Sequence, residues 1–318
     1  MSEQSKLEFL PVSFFSVVMG LSGFTIALEK AEEIFVLPFH FSGVMLALSA
    51  TVFVLLTAAY GAKIIRFREA VVKEMNHPIK LSFFPTFSIS LILLSIALLP
   101  FSIQASFPLW AIGTIFHLGF TLFVLSRWIN HTTFDIQHSN PSWFIPMVGN
   151  ILVPIGGVAH GFPEVSWFFF SIGVLFWLVL LTIFINRVIF HAPLPEKLVP
   201  TFFILIAPPA AGFISYFKLT GGLDSFSRFL FYTALFFLIL LLSLYRKFMR
   251  IRFFLSWWAY SFPVAAFAIA SMLMYKQLQT GILLALSCFM LVLLTLIILV
   301  LAAKTLAALQ RGHICVED

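Results

Sequence analysis

Few residues in this chain of 318 could carry chemistry. None of its ten long apolar segments contains Asp, Glu, Lys or Arg. Apart from His40 at the start of one segment, the histidines inside these segments are His117 and His160, and Asn150 is the most polar group deep within one. None of the eight histidines has the spacing of a metal site, and there is no Walker-type phosphate loop. We expect the side chains of His117, His160 and Asn150 to make structural hydrogen bonds. We therefore predict that the protein is not an enzyme and has no catalytic residues, no metal site and no cofactor.

The apolar segments also lack the carboxylates that ion-coupled transport commonly uses. Proton- and sodium-coupled transporters usually keep Asp or Glu within the membrane to carry the coupling ion. The nearest candidates, Glu29, Glu164 and Asp224, all lie outside the segments, on the side predicted to face away from the cytoplasm. A pathway without fixed charge suits a passive conduit better than a tight, substrate-specific site.

The composition is that of a polytopic membrane protein. It is 61% hydrophobic and 10% charged, whereas soluble domains carry about 25% charged residues. Runs of about 20 apolar residues cross a bilayer as helices, and we number them spans 1 to 10. We predict an all-α fold of five helical hairpins in a single transmembrane domain over residues 1–318, with no soluble domain. The predicted spans are 9–28, 39–61, 83–100, 107–126, 143–161, 165–186, 199–217, 229–245, 253–275 and 281–303.

Prolines alternate between successive spans. Eight of the 16 prolines lie within odd-numbered spans and Pro100 ends one of them, whereas even-numbered spans have proline only at the first turn, where its missing N–H is harmless. A proline inside a helix frees carbonyls that lipid cannot satisfy. We therefore expect the odd spans to line a central pore and the even spans, with residues such as Phe237, to face lipid. The predicted pore kinks include Pro85, Pro146, Pro154, Pro208, Pro209 and Pro263.

The cations predict an orientation. With the N-terminus inside, 15 of the 19 Lys and Arg residues fall on the cytoplasmic side, and such an excess marks that side in membrane proteins. Both termini are therefore predicted to be cytoplasmic. The net charge of +6 reflects this topology and does not indicate a nucleic-acid partner.

Some of these cations stand at the ends of odd spans. Helix N-termini are partially positive and favour anions, so convergent odd spans would form an anion-attracting mouth. Positive-inside orientation accounts for the same residues equally simply, and both interpretations stay open. The mouth candidates are Lys6, Lys80, Lys197 and Arg252, and Lys30, Lys218 and Lys276 follow spans at the other end.

Four stretches resemble a known family: PVSFFSVVMGLSGF (11–24), HPIKLSFFPTF (77–87), LPEKLVPTFFILIAPPAAG (194–212) and SWWAYSFPVAAFAIAS (256–271). They are similar to the bacterial TehA proteins, a family that includes the slow-type anion channels of plant guard cells and fungal malate transporters. The resemblance covers nearly the whole chain. WWAYSFP is its most specific part and is closer to the plant branch.

The resemblance implies a homotrimer with a pore in each subunit, plugged by an aromatic side chain at Phe262. A second aromatic near the constriction falls on Phe83 or Phe84, of which Phe84 is favoured. Because a residue before proline is pushed out of the α region, we expect a bend at Phe262 that turns its ring inward.

The expected function is a passive channel for small anions, such as chloride or nitrate, in a bacterial inner membrane. The alternative is a secondary carrier or exporter of a small anion, such as a C4-dicarboxylate like malate, sulfite or tellurite. The expected partners are these anions, the lipid bilayer and two further copies of the chain.

Overall fold

The computed structural model describes residues 3–38, 40–130, 134–312 and 314–315, and within them the chain is helical and contains no strand. The predicted all-α membrane fold is confirmed. The cytoplasmic placement of the termini involves residues 1–2 and 316–318, which lie outside the described residues, and it stays a prediction.

Nine helices in the described part of the chain are long and apolar enough to cross a membrane, and they correspond to predicted spans 1–4 and 6–10. The fifth predicted span instead consists of four short helical pieces, Pro141–Trp143, Phe144–Val148, Gly149–Leu152 and Val153–Gly157. A tenth crossing there, with the five-hairpin arrangement, stays a prediction. The nine run Val12–Phe35, Phe41–Arg66, Lys80–Leu98, Ile103–Asn130, Pro163–Phe190, Glu196–Thr220, Ser225–Ser243, Leu255–Leu278 and Gly281–Gln310.

Burial separates an inner from an outer set of helices. In spans 1, 3, 7 and 9, 78–83% of the most apolar stretch is buried, against 11–39% in spans 2, 4, 6, 8 and 10. The pieces of the fifth span are also buried almost throughout. One detail of the prediction is wrong: Phe237 is only 6% exposed, whereas its neighbour Phe236 is 61% exposed. An outer helix turns one face to lipid and packs the other against the inner helices.

The inner helices share a change of helix type. Each begins as a 3₁₀ helix and continues as an α-helix, and prolines lie at three of the four junctions. Pro85 precedes the first residue of its α-helix, and Pro263 is the third residue of its own. The N–H groups of a first turn have no intrahelical partner, so proline costs little there. The paired segments are Val12–Phe14 with Phe15–Phe35, Lys80–Phe83 with Thr86–Leu98, Glu196–Ile206 with Ala207–Thr220, and Leu255–Tyr260 with Ser261–Leu278.

The expectation that the residue before a proline leaves the α region is corrected, whereas a bend of the helix axis at these prolines stays a prediction. Phe84 keeps helical torsions before Pro85, with φ −57° and ψ −39°, and Phe262 lies within the helix that begins at Ser261. Because the preceding 3₁₀ segment continues into the α-helix, the chain does not leave the helical region at these positions. The prolines mark a change of helix type.

The fifth span is broken most severely, and its carbonyls are satisfied by side chains. Pro146 and Pro154 stand in the first turn of separate short helices. The Thr121 hydroxyl of span 4 donates to the Pro146 carbonyl at 2.8 Å. Asn150 Nδ2 donates to the Met147 carbonyl at 2.7 Å and to the Thr121 hydroxyl at 3.0 Å. Asn150 thus has the structural interhelical role expected for it.

Two further donors come from neighbouring spans. The Trp110 indole donates to the Val153 carbonyl at 3.0 Å, and the Ser215 hydroxyl of span 7 donates to the Ile151 carbonyl. Trp110 and Thr121 are eleven positions apart, which is close to three helical turns, so both face the fifth span. Span 4 therefore presents a line of donors to a segment that cannot complete its own hydrogen bonds.

We predict that Thr121→Val lowers the stability of the protein by about 1 kcal/mol, because it leaves a buried carbonyl with a weaker partner. Thermal unfolding of the purified protein in detergent measures the effect. Thr182→Val is the matched control, since Thr182 lies on an outer helix, is exposed, and bonds only the carbonyl of Leu178 in its own helix. Equal shifts for the two variants would contradict this role of Thr121.

Candidate functional site

Two cavities enter the bundle of inner helices from opposite ends. The first cavity, of about 300 Å³, is lined by the N-terminal parts of the odd spans. The second cavity, of about 350 Å³, is lined by their C-terminal parts. Most lining residues of both are apolar, so an ion inside either has few charged groups to contact.

Three residues line both cavities and so separate them: Leu152, Ala211 and Phe262. We name this group the barrier. Phe262 contributes the largest side chain, which is half-buried. Gly23 of span 1 makes room for it, since a Cβ atom there would lie 3.3 Å from Phe262 Cδ2. No charged side chain belongs to the barrier.

The two candidate aromatic residues of span 3 lie differently. Phe83 lines the first cavity. Phe84, favoured by the sequence analysis, lines neither cavity and packs against Tyr60 and Phe120 of outer helices, with ring centroids 6.4 and 6.5 Å away. Successive residues of a 3₁₀ segment point about 120° apart, so adjacent rings cannot both face the pathway.

Of the four cations predicted at the mouth, two line the first cavity and two do not. Lys80 and Lys197 line the first cavity, because they are the first and second residues of 3₁₀ segments. Lys6 and Arg252 do not line it, and both are exposed. Arg252 precedes its 3₁₀ segment, and its backbone N–H donates to Glu196 Oε1 at 3.3 Å.

Of the six prolines predicted to kink the pore helices, two line a cavity and four do not. Pro208 and Pro263 line the first cavity, whereas the others lie among the inner helices. Their shared property is the position near the start of an α-helical piece. The prolines that line neither cavity are Pro85, Pro146, Pro154 and Pro209.

The sequence patterns did not predict the buried ion pair between Lys63 and Glu74 at the first cavity. Glu74 lines that cavity, and its Oε2 accepts from Lys63 Nζ and from the Tyr60 hydroxyl, each at 2.9 Å. Its Oε1 accepts from the Val12 backbone N–H at 2.8 Å, and Lys63 donates to the Leu10 carbonyl at 2.8 Å. Glu74 and Val12 are 62 positions apart, so no local spacing reveals their contact. The network fixes the start of span 1 to the end of span 2.

The two remaining polar candidates have packing contacts. The Ser88 hydroxyl lies 2.9 Å from Nδ1 of His117, which is fully buried. The Ser106 hydroxyl lies 3.1 Å from Nε2 of His160. His117 of outer span 4 thus contacts inner span 3, whereas His160 contacts outer span 4, and neither histidine lines either cavity. Their expected role as hydrogen-bonded packing residues agrees with this geometry.

Residues 10–306 match the SLAC1 family, described as voltage-dependent anion channel. The chain belongs to the SLAC1 family. The match extends from the start of span 1 into the last turns of span 10. The predicted resemblance to the TehA and slow-type anion channel proteins is thereby confirmed.

Relatives of this SLAC1-family protein come from plants, bacteria and archaea. The S-type anion channel SLAH3 of Arabidopsis thaliana is 30% identical over 269 residues, which cover 82% of this chain and 42% of that protein. The tellurite resistance protein TehA homolog of Haemophilus influenzae is 24% identical over 307 residues, or 96% and 92% of the two chains. The uncharacterized transporter MJ0762 of Methanocaldococcus jannaschii is 24% identical over 297 residues, or 86% and 87%. The chain spans about half the length of the first plant relatives it matches.

For this SLAC1-family protein we predict that Glu74→Gln destabilises the fold by about 3–5 kcal/mol, because it leaves the Lys63 ammonium buried without its counter-charge. Thermal unfolding in detergent measures the loss. Glu69→Gln is the control, since Glu69 lies on the same short helix as Glu74, Arg68–Asn76, and is exposed. The double variant Lys63→Met with Glu74→Gln should recover part of the loss. A Glu74→Gln protein as stable as the control would show that the pair is dispensable.

Proposed function

We propose that this SLAC1-family protein is a passive channel for small anions, closed at Phe262 in the conformation described. The observation that carries the proposal is the barrier, at which one aromatic ring lies between two cavities that approach from opposite ends. A pathway interrupted by one side chain opens with a small local movement. A substrate-binding carrier would require polar groups at that position.

The barrier closes the pathway by steric exclusion and by dewetting, since an apolar constriction excludes water as well as ions. Selectivity then comes from the cost of dehydrating the ion and from positive potential at the entrance. Lys80 and Lys197 supply that potential in the first cavity. Chloride and nitrate fit these requirements, because they are small and singly charged, and cations are repelled at the entrance.

We further propose a homotrimer in a bacterial inner membrane, with one pore in each subunit and the first cavity open to the cytoplasm. The family resemblance supports the trimer, and the excess of Lys and Arg supports the orientation. The proposed partners are small anions and the lipid bilayer.

A carrier or exporter of a small anion, such as malate, sulfite or tellurite, is the second candidate. Two cavities on either side of one closed barrier are also the geometry of an alternating-access carrier. Reconstitution distinguishes the two mechanisms. A channel gives currents that scale with voltage, whereas a carrier gives saturable flux that a counter-substrate stimulates. A reversal-potential series over chloride, nitrate, sulfite and malate then identifies the permeant anion.

We predict that Phe262→Ala raises the basal anion conductance about tenfold or more, since lowering a barrier by about 1.4 kcal/mol already changes a rate tenfold. Phe262→Leu should fall between Ala and wild type because it fills part of the same volume. Planar-bilayer currents measure both variants. Phe236→Ala is the control, because Phe236 is exposed on an outer helix. If Phe262→Ala conducts no better than wild type, the gate lies elsewhere and Phe83 is the next candidate.

We predict that changing Lys80 and Lys197 together to Gln lowers anion conductance mainly at low salt. The positive potential of the first cavity is screened as salt rises, with a Debye length of about 10 Å at 0.1 M. Conductance measured over a series of salt concentrations tests the dependence. Arg66→Gln with Arg68→Gln removes two exposed cations that line neither cavity. Equal losses in both double variants would assign the effect to net charge alone.

A further inference from the structure

The second cavity has three charged residues among its lining: Glu29, Lys30 and Lys218. Lys30 is already neutralised, since its ammonium lies 3.3 Å from Glu29 Oε1 and 2.6 Å from Glu33 Oε2. The other Glu33 oxygen pairs with Lys276 Nζ at 2.6 Å. These four groups form a chain of ion pairs that joins the ends of spans 1 and 9.

Lys218 is left as the excess cation of this cluster. Within the described part of the chain, no carboxylate oxygen lies within 4.0 Å of its ammonium, and no hydrogen bond satisfies it. Lys30, Glu33, Glu29 and Lys276 all act on it electrostatically, so three ammonium groups face two carboxylates. A lysine in the last turn of a helix is favoured by the helix dipole, which explains its presence there but leaves its ammonium unpaired.

We propose that the second cavity binds one small, weakly hydrated anion, of the chloride or nitrate class, at the Lys218 ammonium. The inference rests on the proposed anion-channel function and adds a site at the end of the pathway opposite Lys80 and Lys197. The ammonium supplies the charge, and the apolar wall that leads to Phe262 supplies the selectivity. An anion that loses water cheaply enters such a wall more readily than a strongly hydrated one.

The site is weak because Lys218 is exposed. A charge pair a few ångströms apart in water is worth on the order of fivefold in affinity. Weak binding is what conduction requires, since an ion held tightly beside the barrier would block the path. Binding here raises the local concentration of anions beside Phe262.

The test uses the purified full-length protein with Lys80→Gln and Lys197→Gln, so that the second cavity dominates chloride binding. Chloride is titrated and followed by chlorine NMR line broadening, which reports weak binding without requiring conduction. We expect a further Lys218→Gln change to weaken chloride binding about fivefold, whereas Lys218→Arg restores it. Arg228→Gln is the matched control, because Arg228 is an exposed cation that does not line the cavity.

Nitrate should displace the bound chloride in the parent protein. Unchanged line broadening in Lys218→Gln, or an equal loss in Arg228→Gln, would overturn the site. This outcome is distinct from failure of the channel proposal, which is read from the conductance of Phe262→Ala. Chloride binding at Lys218 in a protein that does not conduct would retain the site and reject the channel.

Discussion

Hydrocarbon offers no hydrogen-bond partner to a peptide carbonyl, and an inner span that is divided into separate helical pieces leaves carbonyls without partners in its own backbone. The fifth span is the most interrupted, since Pro146 and Pro154 lie in separate short helices that do not form one continuous helix. Its carbonyls are satisfied by Thr121 and Trp110 of span 4 and by Ser215 of span 7. The broken elements therefore have to be surrounded by protein, which forces the smooth helices to the outside.

The same constraint determines where charge can lie. A buried ion is stable only when it is paired and hydrogen-bonded, and the ion pairs within the described residues lie at the ends of the bundle. Lys63 and Glu74 join two segments at the first cavity, and the chain of pairs through Glu33 joins spans 1 and 9 at the second. Between these ends lie Leu152, Ala211 and Phe262, which line both cavities and carry no charge.

An uncharged middle with cations at both ends favours weak selection over specific binding. None of the three barrier residues carries a charge, so the barrier itself offers an anion no ionic contact. Discrimination then rests on the cost of dehydration. In the proposed channel, Phe262 closes the pathway and the cations that line each cavity attract anions. An all-helical protein with few polar residues can therefore favour anions over cations.

Patterns along the chain were enough to predict nine of the ten proposed membrane spans and the inner and outer sets of helices, because hydropathy and proline content act locally. Phe262 was singled out by the family resemblance. The patterns could not distinguish Phe83 from Phe84, since the rotation of a helix about its axis depends on its neighbours. Nor could they show that Lys80 and Lys197 line the first cavity while Lys6 and Arg252 do not. The Lys63–Glu74 pair was decided by tertiary structure alone, because side chains on separate elements meet only when the packing of apolar faces brings those elements together.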